Sequence, residues 1–121
     1  MQNTKYNLEE RTSKFGESVI RYCKTLSLDT ISKPVVSQII RSGTSIGANY
    51  MEANNASSRK DFANKIFICK KESQETKHWL KMLEICFPDK TNEIKILAQE
   101  TQELIMIFQK IINSLREGIE K

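Results

Sequence analysis

An all-α fold, an antiparallel four-helix bundle running up-down-up-down, is predicted by three features of this sequence. Apolar residues recur at steps of three and four over four separate segments, helix breakers are few, and the joins between segments are short and polar. The 121 residues include only 4 Gly and 2 Pro, with 39% apolar and 28% charged, a balance that suits a helical globule rather than a turn-rich β fold or a disordered chain. That length fits one domain spanning 1–121, because it can bury a single sizeable core and little more.

The first helix is expected from about Leu8 to Leu26, where Leu8, Phe15, Val19, Tyr22 and Leu26 share one face and Asn7 can cap the start. Ser27 to Ser32 form a polar connection, and Pro34 suits the first turn of a second helix, where its missing N–H costs nothing. That helix, about Lys33 to Asn54, turns Val36, Ile39, Gly43, Ile46 and Tyr50 inward. Gly43 and Gly47, four apart, let another backbone approach closely. Ser58 and Asp61 resemble a capping box that opens the third helix, with the acid at the positive end of the helix dipole. Phe62, Ile66, Cys69, Ser73, Thr76, Leu80, Leu83 and Phe87 then alternate steps of four and three, the spacing of a bundle seam, before Pro88 ends the helix.

The fourth helix, about Asn92 to Ile119, repeats the pattern through Ile94, Leu97, Thr101, Leu104, Phe108, Ile111 and Leu115. Ile96, Ile105, Met106, Ile107 and Ile112 fall off that seam, more apolar surface than one bundle core needs, and a subunit interface would cover the remainder.

No catalytic constellation is visible. Cys23, Cys69 and Cys86 form an odd set without a CxxC, and with one His in the chain neither a disulfide framework nor a zinc site is expected. Glu75-x-x-His78 matches half of a di-metal bundle pattern, but the full pattern needs a second Glu-x-x-His, so His78 reads as a surface or interface residue beside a carboxylate. We therefore expect no enzyme activity, no metal and no cofactor. No apolar run approaches the roughly 18 residues that span a bilayer. The opening MQNTKYNLEERTSKF also lacks a leader's apolar core, so a cytoplasmic protein without a membrane partner is expected.

Charge and polar patterning are more informative. Of the net +4, the excess is concentrated in residues 57–81, where seven Lys/Arg face three acids. Lys70, Lys77 and Lys81 share one broad face of the third helix, Lys71 lies on its margin, and Arg59 and Lys60 stand near its start, an arrangement able to track a phosphate backbone. Phe62 and Phe67 are assigned to the core and Trp79 to the core or an interface, which leaves the face without stacking aromatics. On the second helix Ser42, Ser45, Asn49 and Glu52 form a stripe beside the seam. Small polar groups in that position suit a helix contact in which hydroxyls and amides find partners.

The run from Arg41 through Ser42, Gly43, Thr44, Ser45, Ile46, Gly47, Ala48, Asn49, Tyr50, Met51 and Glu52 to Ala53 resembles a known bacterial family. It is followed by Ser58-Arg59-Lys60-Asp61-Phe62 and by Lys71 to Leu80. Together these resemble the four-helix bundle proteins related to the 23S ribosomal RNA intervening-sequence protein, also labelled S23 ribosomal protein. More distantly they are similar to the accessory variability protein of diversity-generating retroelements. The motif covers about a third of the chain and the helix layout nearly all of it. The resemblance implies a homo-oligomer, in known relatives a five-fold ring, with a basic surface and no established enzymatic activity. Where many relatives have Gly after the second helix's Glu, this chain has Ala53, and Asn54-Asn55-Ala56 lengthens the join, which places it in a subgroup. The expected partners are other copies of the chain, most simply as a pentamer, and RNA or DNA. The rival expectation is a protein-binding scaffold that touches no nucleic acid.

Overall fold

The computed structural model describes residues 7–120. The opening stretch read above for a leader lies partly outside them, at 1–6. Four helices follow in order: α1 (Leu8–Cys23), α2 (Ser32–Asn54), α3 (Arg59–Cys86) and α4 (Thr91–Glu120), with a 3₁₀ turn, Pro88–Lys90, before the last. Among the described residues there is no strand, and consecutive helices pack on one another as an all-α four-helix bundle. No described helix is long and apolar enough to cross a membrane.

The helix ends follow from local hydrogen bonding. Asn7 accepts the Glu10 N–H at 3.3 Å, and Ser58 accepts the Asp61 N–H at 3.0 Å, so both predicted caps are present. α1 stops three residues short of Leu26. The N–H groups of Thr25 and Leu26 reach back only three residues, to Tyr22 and Cys23, which tightens the chain out of the helix while Leu26 stays buried. α2 begins on a cap that Pro34 had obscured. The Asp29 carboxylate accepts the N–H groups of Ile31 and Ser32 at 3.0 and 2.8 Å, and the Asp29 N–H donates to Ser32 Oγ at 2.9 Å. These bonds, those from Ser32 first, hold the Asp29 carboxyl below its ordinary value of 3.8.

Val19, Ile39, Ile46, Ile66, Leu80, Leu83, Ile94, Leu104 and Phe108 have no exposed surface and form the core, as the seams predict. One register differs. Ile112 is buried in that core whereas Ile111 is half-buried, the reverse of the expected phase. From Ile94 to Ile112 the inward residues advance eighteen positions in five steps, the 3.6 residues per turn of a straight helix rather than the 3.5 of a heptad seam.

Close packing sets the position of α1. Gly43 faces the Val19 side chain, and Gly47 lies against the backbone of Thr12 and Ser13, as the glycine spacing on α2 implied. Gly16 answers from α1, facing Thr44. By contrast α1 and α4 touch only sparsely. Their seam holds a groove of about 530 Å³ bordered by Phe15, Ser18, Ile96 and Leu97. Arg11 ties it: Nε and Nη2 donate to the two Glu100 oxygens at 2.8 Å, and Nη2 also donates to Glu103 at 2.8 Å.

Candidate nucleic-acid interface

The basic residues singled out in the sequence stand on α3. At 100° per residue, Lys70, Lys77 and Lys81 fall within about 40° of one another, on the flank of α3 that borders α4. Lys77 Nζ accordingly donates to Gln102 Oε1 of α4 at 2.6 Å. Lys60, Lys71 and Lys81 are exposed and Lys70 is half-buried at the groove between α3 and α4. Arg59, also exposed, reaches the Leu115 carbonyl at 3.5 Å.

None of these six cations joins an ion pair among the described residues. Three other cations are engaged across helices, Arg11 with Glu100 and Glu103, Arg41 with Glu72 and Glu75, and Lys65 with Glu52, while Lys24, Lys33, Lys90, Lys95, Lys110 and Arg116 also stand outside every ion pair of the described residues. What sets the α3 group apart is its concentration: cross-helix pairs neutralise their charges in place, the other free cations are spread along the chain, and six unpaired cations on one helix sum their field.

Phe67 corrects the sequence reading. Ile66 takes the core position with no exposed surface, and the next residue is rotated by 100° away from it, leaving Phe67 45% exposed. The Arg116 guanidinium lies over its ring, 5.9 Å from the centroid. Phe62 is half-buried against the core, and Trp79 is half-buried with the His78 ring edge-on at 5.0 Å. The basic face therefore does carry an exposed aromatic.

The α2 stripe divides. Ser42 is fully buried within the chain, donating to the Gln38 carbonyl at 2.9 Å and accepting from the Thr76 hydroxyl of α3 at 2.8 Å. Its hydroxyl thus finds its partner inside the same bundle. Asn49 turns back on Ser45, donating to its carbonyl at 2.9 Å, and Glu52 takes Lys65 of α3.

The arrangement that sequence reasoning missed is the pairing of Arg41 with α3. Its Nη1 donates to Glu72 Oε1 at 3.2 Å, its Nη2 to Glu75 Oε2, and its Nε to Gln38 at 3.0 Å, while Glu72 is only 7% exposed. Glu75 is thereby occupied, and His78 contacts Trp79. Among the described residues no group of three or more His, Cys, Asp or Glu is placed to hold a metal ion. Burial pushes the Cys23 thiol up to about 11 and the Cys69 thiol up to about 12, so both are protonated and inert at neutral pH.

Fold and face together define a helical-bundle protein with an unneutralised cationic flank. The model of the family described as 23S rRNA-intervening sequence protein matches residues 4–110, and the chain belongs to that family. Among solved structures the chain resembles a protein of unknown function from the S23 ribosomal protein family of Bacteroides thetaiotaomicron VPI-5482. The two are 33% identical, with a TM-score of 0.78, over 86% of this chain and 96% of that one. No curated protein matches the chain.

Proposed function

We propose that this protein is a non-catalytic homo-oligomer, most simply a pentamer, that associates with nucleic acid through the basic face of α3. The observation that carries the reading is the set Arg59, Lys60, Lys70, Lys71, Lys77 and Lys81, concentrated on one helix and outside every ion pair of the described residues. Phosphate backbones are the partner such a field attracts, and repetition of the face around a symmetry axis lets several weak contacts engage one strand. The membership in a family described by ribosomal RNA intervening sequences supports the same direction.

The test is titration of generic RNA and DNA at rising salt. Binding should weaken steeply as counterion release is opposed, and reversal of Lys70, Lys77 and Lys81 to Glu should weaken all sequences alike and flatten the salt dependence. Binding untouched by the triple reversal would displace the site from α3. Light scattering tests assembly, and a mass equal to the 14.0 kDa chain rules the oligomer out.

A second reading, a protein-binding scaffold, draws on the apolar residues left exposed on α4, Ile96 at 72% and Met106 at 61%. Intact oligomer that binds no nucleic acid at low salt would favour it.

A further inference from the structure

We infer that Phe67 is a stacking platform for an unpaired base, so that the nucleic acid taken by the α3 face is single-stranded. This rests on the nucleic-acid reading above and narrows it from phosphate attraction to recognition of an exposed base.

Phe67 is not needed to fill the core, since Ile66 and Cys69 on either side of it already turn inward with no exposed surface. Its ring is instead set among cations. Arg116 lies over it from α4, Lys70 and Lys71 stand one turn further along α3, and Lys60 lies two turns earlier on the same face. An aromatic face framed by guanidinium and ammonium groups is what a base and its flanking phosphates require. The π surface takes any base, the Arg adds cation–π and stacking contact, and the Lys groups meet the backbone. Arg116 over the ring and Lys60, Lys70 and Lys71 on the same side of α3 suit a polyanion, and the apolar part of the neighbouring groove can take the flat face of a further base.

One turn along α3 from the ring, a groove of about 810 Å³ lies between α3 and α4, bordered on α3 by Lys70 and Gln74 and on α4 by the apolar Ile105, Met106 and Ile107 together with Gln109, Lys110 and Asn113. Its amides offer donors and acceptors to base edges. The one carboxylate on its border, Glu103, is engaged by Arg11. His78, exposed and eleven residues beyond Phe67 on the same face, presents a second flat ring about 16 Å along the helix. A duplex hides the faces of its bases, so it can reach the lysines but not the ring.

The experiment measures fluorescence anisotropy of three labelled probes at low salt: an oligothymidylate, an abasic oligonucleotide of equal length, and a duplex. Wild-type protein should bind oligothymidylate about tenfold more tightly than the abasic strand, within the range stacking supplies. Phe67→Ala should abolish that gap with the salt slope unchanged, because no charge is removed, and Phe67→Tyr should keep it. Equal binding of base-bearing and abasic strands by wild type overturns the inference while leaving the phosphate-field reading intact. So does a Phe67→Ala variant that retains the gap, or one whose oligomer mass changes, which would place the ring in a subunit contact. Failure of all three probes to bind removes the parent reading and this inference together.

Discussion

Two identical chemical changes on the facing surfaces of α1 and α2 should affect stability unequally, one raising it and the other leaving it unchanged or lowering it. Replacing a helical Gly by Ala gains about 1 kcal/mol, because the unfolded chain has fewer backbone states to lose. At Gly16 a new Cβ would meet the Thr44 Cα at 3.5 Å and the Gly43 oxygen and Thr44 Cγ2 at 3.7 Å, ordinary van der Waals contact. Gly16→Ala should therefore keep the full gain and raise Tm by about 4 °C for a chain of this size. At Gly47 the new Cβ would lie 3.3 Å from the Thr12 carbonyl carbon and oxygen and 3.4 Å from the Ser13 nitrogen. Those are backbone atoms of a helix, which no rotamer change can move, so α1 as a whole must be displaced. Overpacking of this kind costs about 1–3 kcal/mol. Set against the same gain, Gly47→Ala should come out between neutral and about 2 kcal/mol destabilising. Thermal unfolding followed by far-UV circular dichroism measures both. A Gly47→Ala protein that melts as high as Gly16→Ala would refute the close seating of α1 on α2.

Leu80, with no exposed surface in the α3 seam, should cost about 2–5 kcal/mol when replaced by Ala, and an unchanged urea midpoint would show that α3 is phased wrongly. Acid should destabilise the bundle through two carboxylates. Gln99 and Arg11 hold Glu103 below its ordinary 4.5, and Ser32 holds Asp29 below 3.8, so each contributes stability above those values that is lost as pH falls through the lowered ones. The urea midpoint should accordingly be flat above about pH 5 and decline below about pH 4, and equal midpoints at neutral and strongly acid pH would contradict this. Of the three thiols, half-buried Cys86 should react with a disulfide reagent quickly, and buried Cys23 and Cys69 only after denaturant is added. Three equally fast thiols would place all three at the surface.

What the sequence made legible was what is encoded locally. Ser58 and Asp61 lie three apart in the chain, and the seams of α2 and α3 are repeated often enough to phase themselves. The cationic excess on α3 was equally plain, because charge is a property of residue type, but which cations are neutralised depends on partners far along the chain. Arg41 lies 31 and 34 positions from Glu72 and Glu75, and no local spacing announces that they meet. Phe67 was missed for a related reason: an apolar residue beside a seam turns inward or outward according to whether another helix covers it, and α3 is left uncovered there. The Asp29 cap was hidden because Pro34 offered a competing start five residues later, and the phase of Ile112 because a heptad template was extended over a helix that does not supercoil.

The sparse contact between α1 and α4 bears on how the chain reaches its fold. Each helix packs chiefly on the one that follows it, α1 on α2, α2 on α3, α3 on α4, so almost no stabilising contact waits for the two ends of the polypeptide to meet. Contacts of short sequence separation carry a low loop-closure cost and favour rapid folding. During synthesis the α1–α2 hairpin can close over its glycines while α3 is still being made, seating Val19 against Gly43 early, and each later helix docks on a surface already in place. Arg11 finds Glu100 and Glu103 only when α4 arrives, so the ionic tie across the open seam is among the last contacts to form and among the first to break.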